Sequence, residues 1–283
     1  MITLAASTVA ALILAQSPEP QPVERTECPA PVTLAMLPSV RRAPLIELTI
    51  GGKPYHFLLD TGAAGGRISP EIVAYLGLKP VGQIEAADPS GKNSRKVDLY
   101  RIPEIVAGSA KFFGVSMFAD SGGPAGHADG VIGYGVFKDL LLVLDYPARK
   151  VSFLHGSLPR TAIPYKTVGG IPVLPIKIGK FVIDGHVDSG SDGGLLVPLK
   201  YKAQLPLEGE PRVIGHARTL FNSFDILGAK VSAPVTIGGF QIDVPMIEMH
   251  AMFPIGNIGA RVLSLYKVTI DQKHRRIQFQ KPN

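Results

Sequence analysis

Two short stretches hold residues able to attack an amide: Asp60-Thr61-Gly62 and Asp188-Ser189-Gly190. Two carboxylates about 3 Å apart share one proton, because like charges that close resist joint ionisation. The ionised partner is a general base for a water held between them. The protonated partner is a general acid for the carbonyl oxygen or the leaving amine. Such groups titrate as a pair. The Gly after each Asp-Thr or Asp-Ser lets the backbone turn tightly and approach a partner without a Cβ clash. The Thr61 and Ser189 hydroxyls both donate and accept, which suits them to locking two loops together. A single triplet of this kind is an ordinary turn, since Asp, Ser and Gly favour turns.

An internal repeat makes partners of the two triplets. Asp60 and Asp188 are 188 − 60 = 128 residues apart, as are Ile50-Gly51 and Ile178-Gly179. Gly130-Val131-Ile132-Gly133 corresponds to Gly256-Asn257-Ile258-Gly259 at an offset of 126, as does Asp145 to Asp271 and Phe153 to Phe279. Five landmarks in order at nearly constant spacing describe a duplicated domain and not a solenoid of short units.

Each unit reads as β-rich. Leu45–Ile50 is a short strand closed by a Gly51-Gly52 turn, and Tyr55–Leu59 leads directly into Asp60. Ser69-Pro70-Glu71 opens a short helix that Gly77 ends. Leu140–Leu144 and Val151–Leu154 form a late hairpin around Tyr146-Pro147-Ala148-Arg149. Tyr266–Ile270 and Arg276–Gln280 repeat it in the second unit. The boundary between units falls near His155–Thr161, where Gly156, Pro159 and Pro164 punctuate the chain.

On these residues the chain resembles the retropepsin-like aspartic peptidases, in particular their bacterial exported two-lobed members. The match rests on Asp60-Thr61-Gly62-Ala63, on Asp188-Ser189-Gly190-Ser191 and on the bracing segments Val131-Ile132-Gly133 and Asn257-Ile258-Gly259. The resemblance implies an all-β fold, mainly antiparallel, of two pepsin-like β-barrel lobes about a pseudo-two-fold, with the cleft between them. It implies an aspartic endopeptidase with Asp60 and Asp188 as catalytic pair. Thr61, Gly62, Ala63, Ser189, Gly190 and Ser191 would support the loops, and Ile132, Gly133, Ile258 and Gly259 would brace them. No cofactor or metal is implied, and the substrate is a peptide or unfolded protein lying in the cleft. Asn257 departs from the apolar residue the pattern prefers there. The family covers its cleft with a hairpin, for which Asp88–Asn93 is the candidate tip. Ala63 lacks the hydroxyl that Ser191 carries. A Ser191 hydroxyl bonded to Asp188 would make Asp188 the base and Asp60 the proton carrier.

The rest of the chain bounds this reading. Residues 1–15 read as a signal peptide, from the uncharged apolar run Ile2–Leu14, and residues 16–44 as a Pro-rich leader or linker. Residues 45–158 and 159–283 are then the N-terminal and C-terminal lobes of an exported, periplasmic or secreted monomer. A membrane partner enters only if the first segment stays as an anchor, and a third option is an inactive precursor whose cleft Ser17–Pro44 covers. The net charge is +6, but the basic residues are scattered, Arg41-Arg42 included, so no nucleic-acid partner is expected. One cysteine, Cys28, permits no internal disulfide. Seven dispersed histidines form no metal motif. Asp120-Ser121-Gly122-Gly123-Pro124 resembles a serine-peptidase nucleophile stretch, yet only His56 precedes it and its surroundings do not fit. The remaining alternative is a catalytically silent peptide-binding or envelope structural protein with the same fold.

Overall fold

The apolar runs become strands because their side chains alternate across a sheet. In Leu45–Ile50 the residues Ile46, Leu48 and Ile50 are buried on one face, and Glu47 between them is exposed. The computed structural model describes residues 22–87, 94–120, 128–218, 223–244, 246–251 and 253–282. It is mostly β, its helical pieces are short, and it falls into two barrel-like lobes joined by a shared sheet.

In the first lobe the strands order as 25–27, 110–119, 66–68, 130–133, 53–60, 45–50, 94–107 and 82–87, and pairing of 94–107 with 110–119 closes the ring. The second lobe repeats the ladder as 207–218, 223–231, 247–250, 195–198, 256–259, 181–188, 171–178, 235–237 and 240–242. There Pro234 separates 223–231 from 235–237, where the first lobe keeps one long strand. The expected helix is Pro70–Tyr75. Pro70 begins it and Gly77 follows it at φ +62°, but the Ser69 side chain makes no capping bond.

A six-stranded sheet joins the lobes in the order 163–164, 276–280, 267–271, 141–145, 150–154 and 32–35. Its centre is the antiparallel pair 141–145 with 267–271, in which Val143 faces Thr269. Those two residues are 269 − 143 = 126 apart, so the central pair matches a residue to its own repeat counterpart. A two-fold axis between equivalent antiparallel strands requires that register. The Asp145/Asp271 landmark is a turn device, since the two carboxylates accept the amides of Ala148 and His274. The Phe153/Phe279 landmark is packing. Phe153 stacks on Phe137 at 4.8 Å and meets Phe112 edge-on, while Phe279 stacks on Phe240 at 5.5 Å. One apolar cluster runs through both lobes.

The stretch read as a leader is largely part of the first lobe, as far as it is described. Arg25–Glu27 pairs with Lys111–Phe113, and Val32–Ala35 pairs with Lys150–Phe153. Cys28 is buried there, its Sγ 3.2 Å from the Ala30 carbonyl. Val32–Ala35 is the counterpart of Ile163–Pro164, which joins the opposite edge of the shared sheet. The repeat unit therefore begins well before Leu45. Strands of three and four residues have too little periodicity to be seen alone; only their partners define them.

Phe153 links the shared sheet to the first barrel and is fully buried. Phe153→Ala should lower the unfolding free energy by about 3–5 kcal/mol, measured by urea denaturation followed by circular dichroism. A loss below about 1 kcal/mol would contradict this packing role.

Candidate active site

Asp60 ends the strand Lys53–Asp60, and Asp188 ends Phe181–Asp188. Each strand is gripped by a parallel neighbour from its own lobe. Leu59 lies beside Ile132 and Asp60 beside Gly133, while Val187 lies beside Ile258 and Asp188 beside Gly259. Ile132 and Ile258 are fully buried under the loops. Gly133 and Gly259 have a steric reason to be glycine. A Cβ on Gly133 would fall 1.8 Å from the Gly65 carbonyl oxygen, and one on Gly259 would fall 2.3 Å from that of Gly193. The bracing continues through backbone amides: Tyr134 N donates to Ala63 O at 2.9 Å, and Ala260 N to Ser191 O at 2.7 Å.

The loops meet through a reciprocal set of hydrogen bonds. Thr61 N donates to Ser189 Oγ and Ser189 N to Thr61 Oγ1, both at 2.9 Å. Thr61 Oγ1 donates to Val187 O at 2.7 Å, and Ser189 Oγ to Leu59 O at 2.8 Å. Both hydroxyl residues are fully buried. Each hydroxyl thus gives its proton to the opposite strand and accepts an amide from the opposite loop.

This lock brings the two carboxyls together at the junction of the loops. Each also rests on the other loop's glycine. A Cβ on Gly190 would lie 2.3 Å from Asp60 Cγ, and one on Gly62 would lie 2.5 Å from Asp188 Cγ. All residues named from the two triplets and the bracing segments therefore gather at one place.

The pair is not symmetric. Asp60 Oδ1 accepts the Gly62 amide at 2.7 Å. Asp188 accepts the Ser191 amide at 3.0 Å and, on its other oxygen, the Asn257 side-chain amide at 2.9 Å. The counterpart of Asn257 in the first lobe is Val131, which has no side-chain donor to offer (257 − 126 = 131). Asp188 thus accepts two hydrogen bonds where Asp60 accepts one. Desolvation, then the charge of Asp188, pushes the Asp60 pKa up to about 8, while the Gly62 amide and the Arg41 charge pull the other way. The Ala63/Ser191 comparison rested on a Ser191 hydroxyl bonded to Asp188, and that bond is not made. Ser191 serves through its amide, and its hydroxyl accepts from Gly193 N at 3.3 Å.

Three further groups support the second loop and escaped the sequence reading. Glu248, buried, accepts the Gly194 amide at 3.0 Å and pairs with Arg261 at 2.7 Å. Arg41 bonds both Asp192 and the Gly190 carbonyl. None carries a motif, because their partners are distant in sequence. Asp120 pairs with Arg67 and Arg95 at the end of its strand. Ser121 and the candidate flap tip Asp88–Asn93 lie outside the described residues, though the strands leading to that tip pair from Gly82↔Leu99 to Ala87↔Ser94. The second lobe has a similar hairpin, Leu207–Arg218 with Ser223–Val231. Among the described residues no cluster of three or more His, Cys, Asp or Glu side chains is arranged to hold a metal.

Residues 46–136 match the family model described as aspartyl protease. The matched span contains Asp60, its loop and the bracing Ile132-Gly133, and it ends inside the first lobe. Over that span the first lobe is similar to an aspartyl-protease domain; the second triplet is tied to it by the 128-residue repeat and by the Thr61–Ser189 hydrogen bonds. A comparison with curated proteins gave no match.

The Asp60 shift predicts a stability change with a definite sign. Its folded-state pKa lies above the ordinary 3.8. The fold therefore tolerates Asp60 fully while protonated, and stability is lost as pH rises from the ordinary value toward the folded one. Asp60→Asn removes that loss. Denaturation midpoints of the variant and the native chain should diverge in the variant's favour between about pH 4 and pH 8. A gap that does not change with pH would contradict the assignment.

Proposed function

We propose that the protein is an aspartic endopeptidase, in which Asp60 and Asp188 activate one water to hydrolyse a peptide bond in the cleft between the lobes. The observation that carries this reading is the seating of each carboxyl on the opposite loop's glycine, beneath the reciprocal Thr61–Ser189 hydrogen bonds. In the starting state Asp188 is ionised and Asp60 holds the proton. Asp188 takes a proton from the water as its oxygen attacks the carbonyl carbon, and Asp60 donates to the carbonyl oxygen. Collapse of the resulting diol transfers a proton to the leaving amine and returns the pair to its single-proton state. The substrate class is a peptide or unfolded protein in extended form, and the chain acts as a monomer because it supplies both halves of the pair. Export to a periplasmic or extracellular space is part of the proposal, supported by the uncharged apolar run Ile2–Leu14. A protein that only binds peptides has no use for two half-buried carboxyls brought together on paired glycines.

The test is cleavage of an unfolded protein or a fluorogenic peptide library. Asp60→Asn and Asp188→Asn should each lower the rate by about 10²–10⁴-fold, with the fold intact by circular dichroism. Cleavage that survives both changes would defeat the reading, and so would a native chain that binds peptides without cutting any.

Asn257 gives a finer check. Asn257→Leu removes a donor to a carboxylate, an interaction of about 1.5–3 kcal/mol. The acidic limb of the pH–rate profile should move upward, because a hydrogen bond to the charged form is lost. An unmoved limb would mean that Asn257 does not act on the pair.

A further inference from the structure

Gly190 is seated directly against the Asp60 carboxyl, and its carbonyl is held from the first lobe. Arg41 lies just before the strand Leu45–Ile50. Its Nη2 donates to Gly190 O at 2.9 Å and its Nε to Asp192 Oδ2 at 2.9 Å. The Arg42 and Ala43 amides reach the other Asp192 oxygen at 2.8 and 3.4 Å. The Arg41 side chain is only 18% exposed. A planar guanidinium can serve a carboxylate and a carbonyl at once, which a lysine ammonium does less rigidly.

We propose that Arg41 is a positioning residue for the peptidase reaction, holding the second loop from the first lobe so that Gly190 stays seated against Asp60. The proposal rests on the peptidase reading for its catalytic meaning. Its geometry follows from contacts alone. Any shift of Gly190 is a shift at the Asp60 carboxyl, because only the missing Cβ separates them.

The tie is one-sided. The counterpart of Arg41 is Gly169 (41 + 128), and the counterpart of Asp192 is Ala64 (192 − 128). In the second lobe the Gly169-Gly170 turn crosses to the first loop, where a Cβ on Gly170 would lie 3.2 Å from Ala64 Cβ. The same place in the pseudo-symmetric pair therefore has an ion pair and hydrogen bonds on one side and a small apolar contact on the other. The first loop does not depend on this tie; the second does. The segment that presents Arg41 is also tied down, through Arg25–Glu27 and Val32–Ala35. Residues 22–44 are therefore a strap that the site requires. They are not a cover awaiting removal, and trimming between Val32 and Arg41 should abolish activity instead of releasing it.

Arg41→Met tests this in the full chain. We expect kcat to fall by about 10–100-fold, the cost of misplacing a reacting group by up to about 1 Å, with KM changed less than about threefold. Arg41→Lys should fall between the two, because it keeps the charge and loses the fork. Arg41→Met with Asp192→Asn should cost no more than Arg41→Met alone, since both changes break one network. Amide hydrogen exchange over residues 189–196 should quicken in Arg41→Met while that over 61–66 does not. The exchange result needs no turnover, so it decides the positioning role even if the native chain cleaves nothing. An unchanged kcat with unchanged exchange at 189–196 would overturn the proposal. Equal quickening in both loops would also overturn it, as general loosening. If Arg41→Met does not fold, Arg41→Lys is read by the same two criteria.

Discussion

The site depends on four hydrogen bonds between Thr61 and Ser189 and the strands beneath them. They place two buried hydroxyls where each satisfies a strand carbonyl and a loop amide of the opposite lobe. A buried donor or acceptor left unpaired costs about 1–3 kcal/mol, so the loops cannot separate without exposing several such groups. This is why like charges can be held in contact. The lock is made by neutral groups one residue from the carboxyls, and the repulsion becomes a retained proton instead of a separation of lobes.

Around this lock the molecule is built twice and then made unequal. The shared sheet matches Val143 to its counterpart Thr269 and so sets the two-fold. The bracing glycines and backbone amides repeat faithfully. The departures lie close to the carboxyls: Asn257 against Val131, and the Arg41–Asp192 tie against Gly170 on Ala64. Two identical carboxyls would divide a proton by chance of the moment. Here the donors collect on Asp188, and burial with the Asp188 charge raises the Asp60 pKa, an asymmetry that fits the proposal of a base and an acid with separate addresses.

Much of this was legible in the sequence. The triplets, the 126- and 128-residue offsets and the late hairpins are all local patterns repeated, and repetition is visible without coordinates. The Asp145/Asp271 and Phe153/Phe279 landmarks also had local causes, a turn and a stacked ring. What stayed hidden was pairing across long separations. Val32–Ala35 is a strand only because Lys150–Phe153 accepts it, and Arg41 is more than a surface charge only because Asp192 is folded against it. Asn257 read as a flaw in an apolar motif, because its value lies in reaching a carboxylate on the neighbouring strand. The Ser191 hydroxyl was a plausible donor by type and is turned to Gly193 instead. Residue type states what a group can do, and only the surrounding backbone decides for whom.

The central claim is that one proton is held between Asp60 and Asp188 and resides on Asp60. Carboxyl-carbon NMR of the chain labelled at aspartate, with Asp60→Asn used to assign the signal, measures this directly. The Asp60 carboxyl should titrate near pH 8, well above the ordinary 3.8. An Asp60 signal that titrates in the ordinary carboxylate range would show that the two groups do not share a proton, and the account of the site would fail.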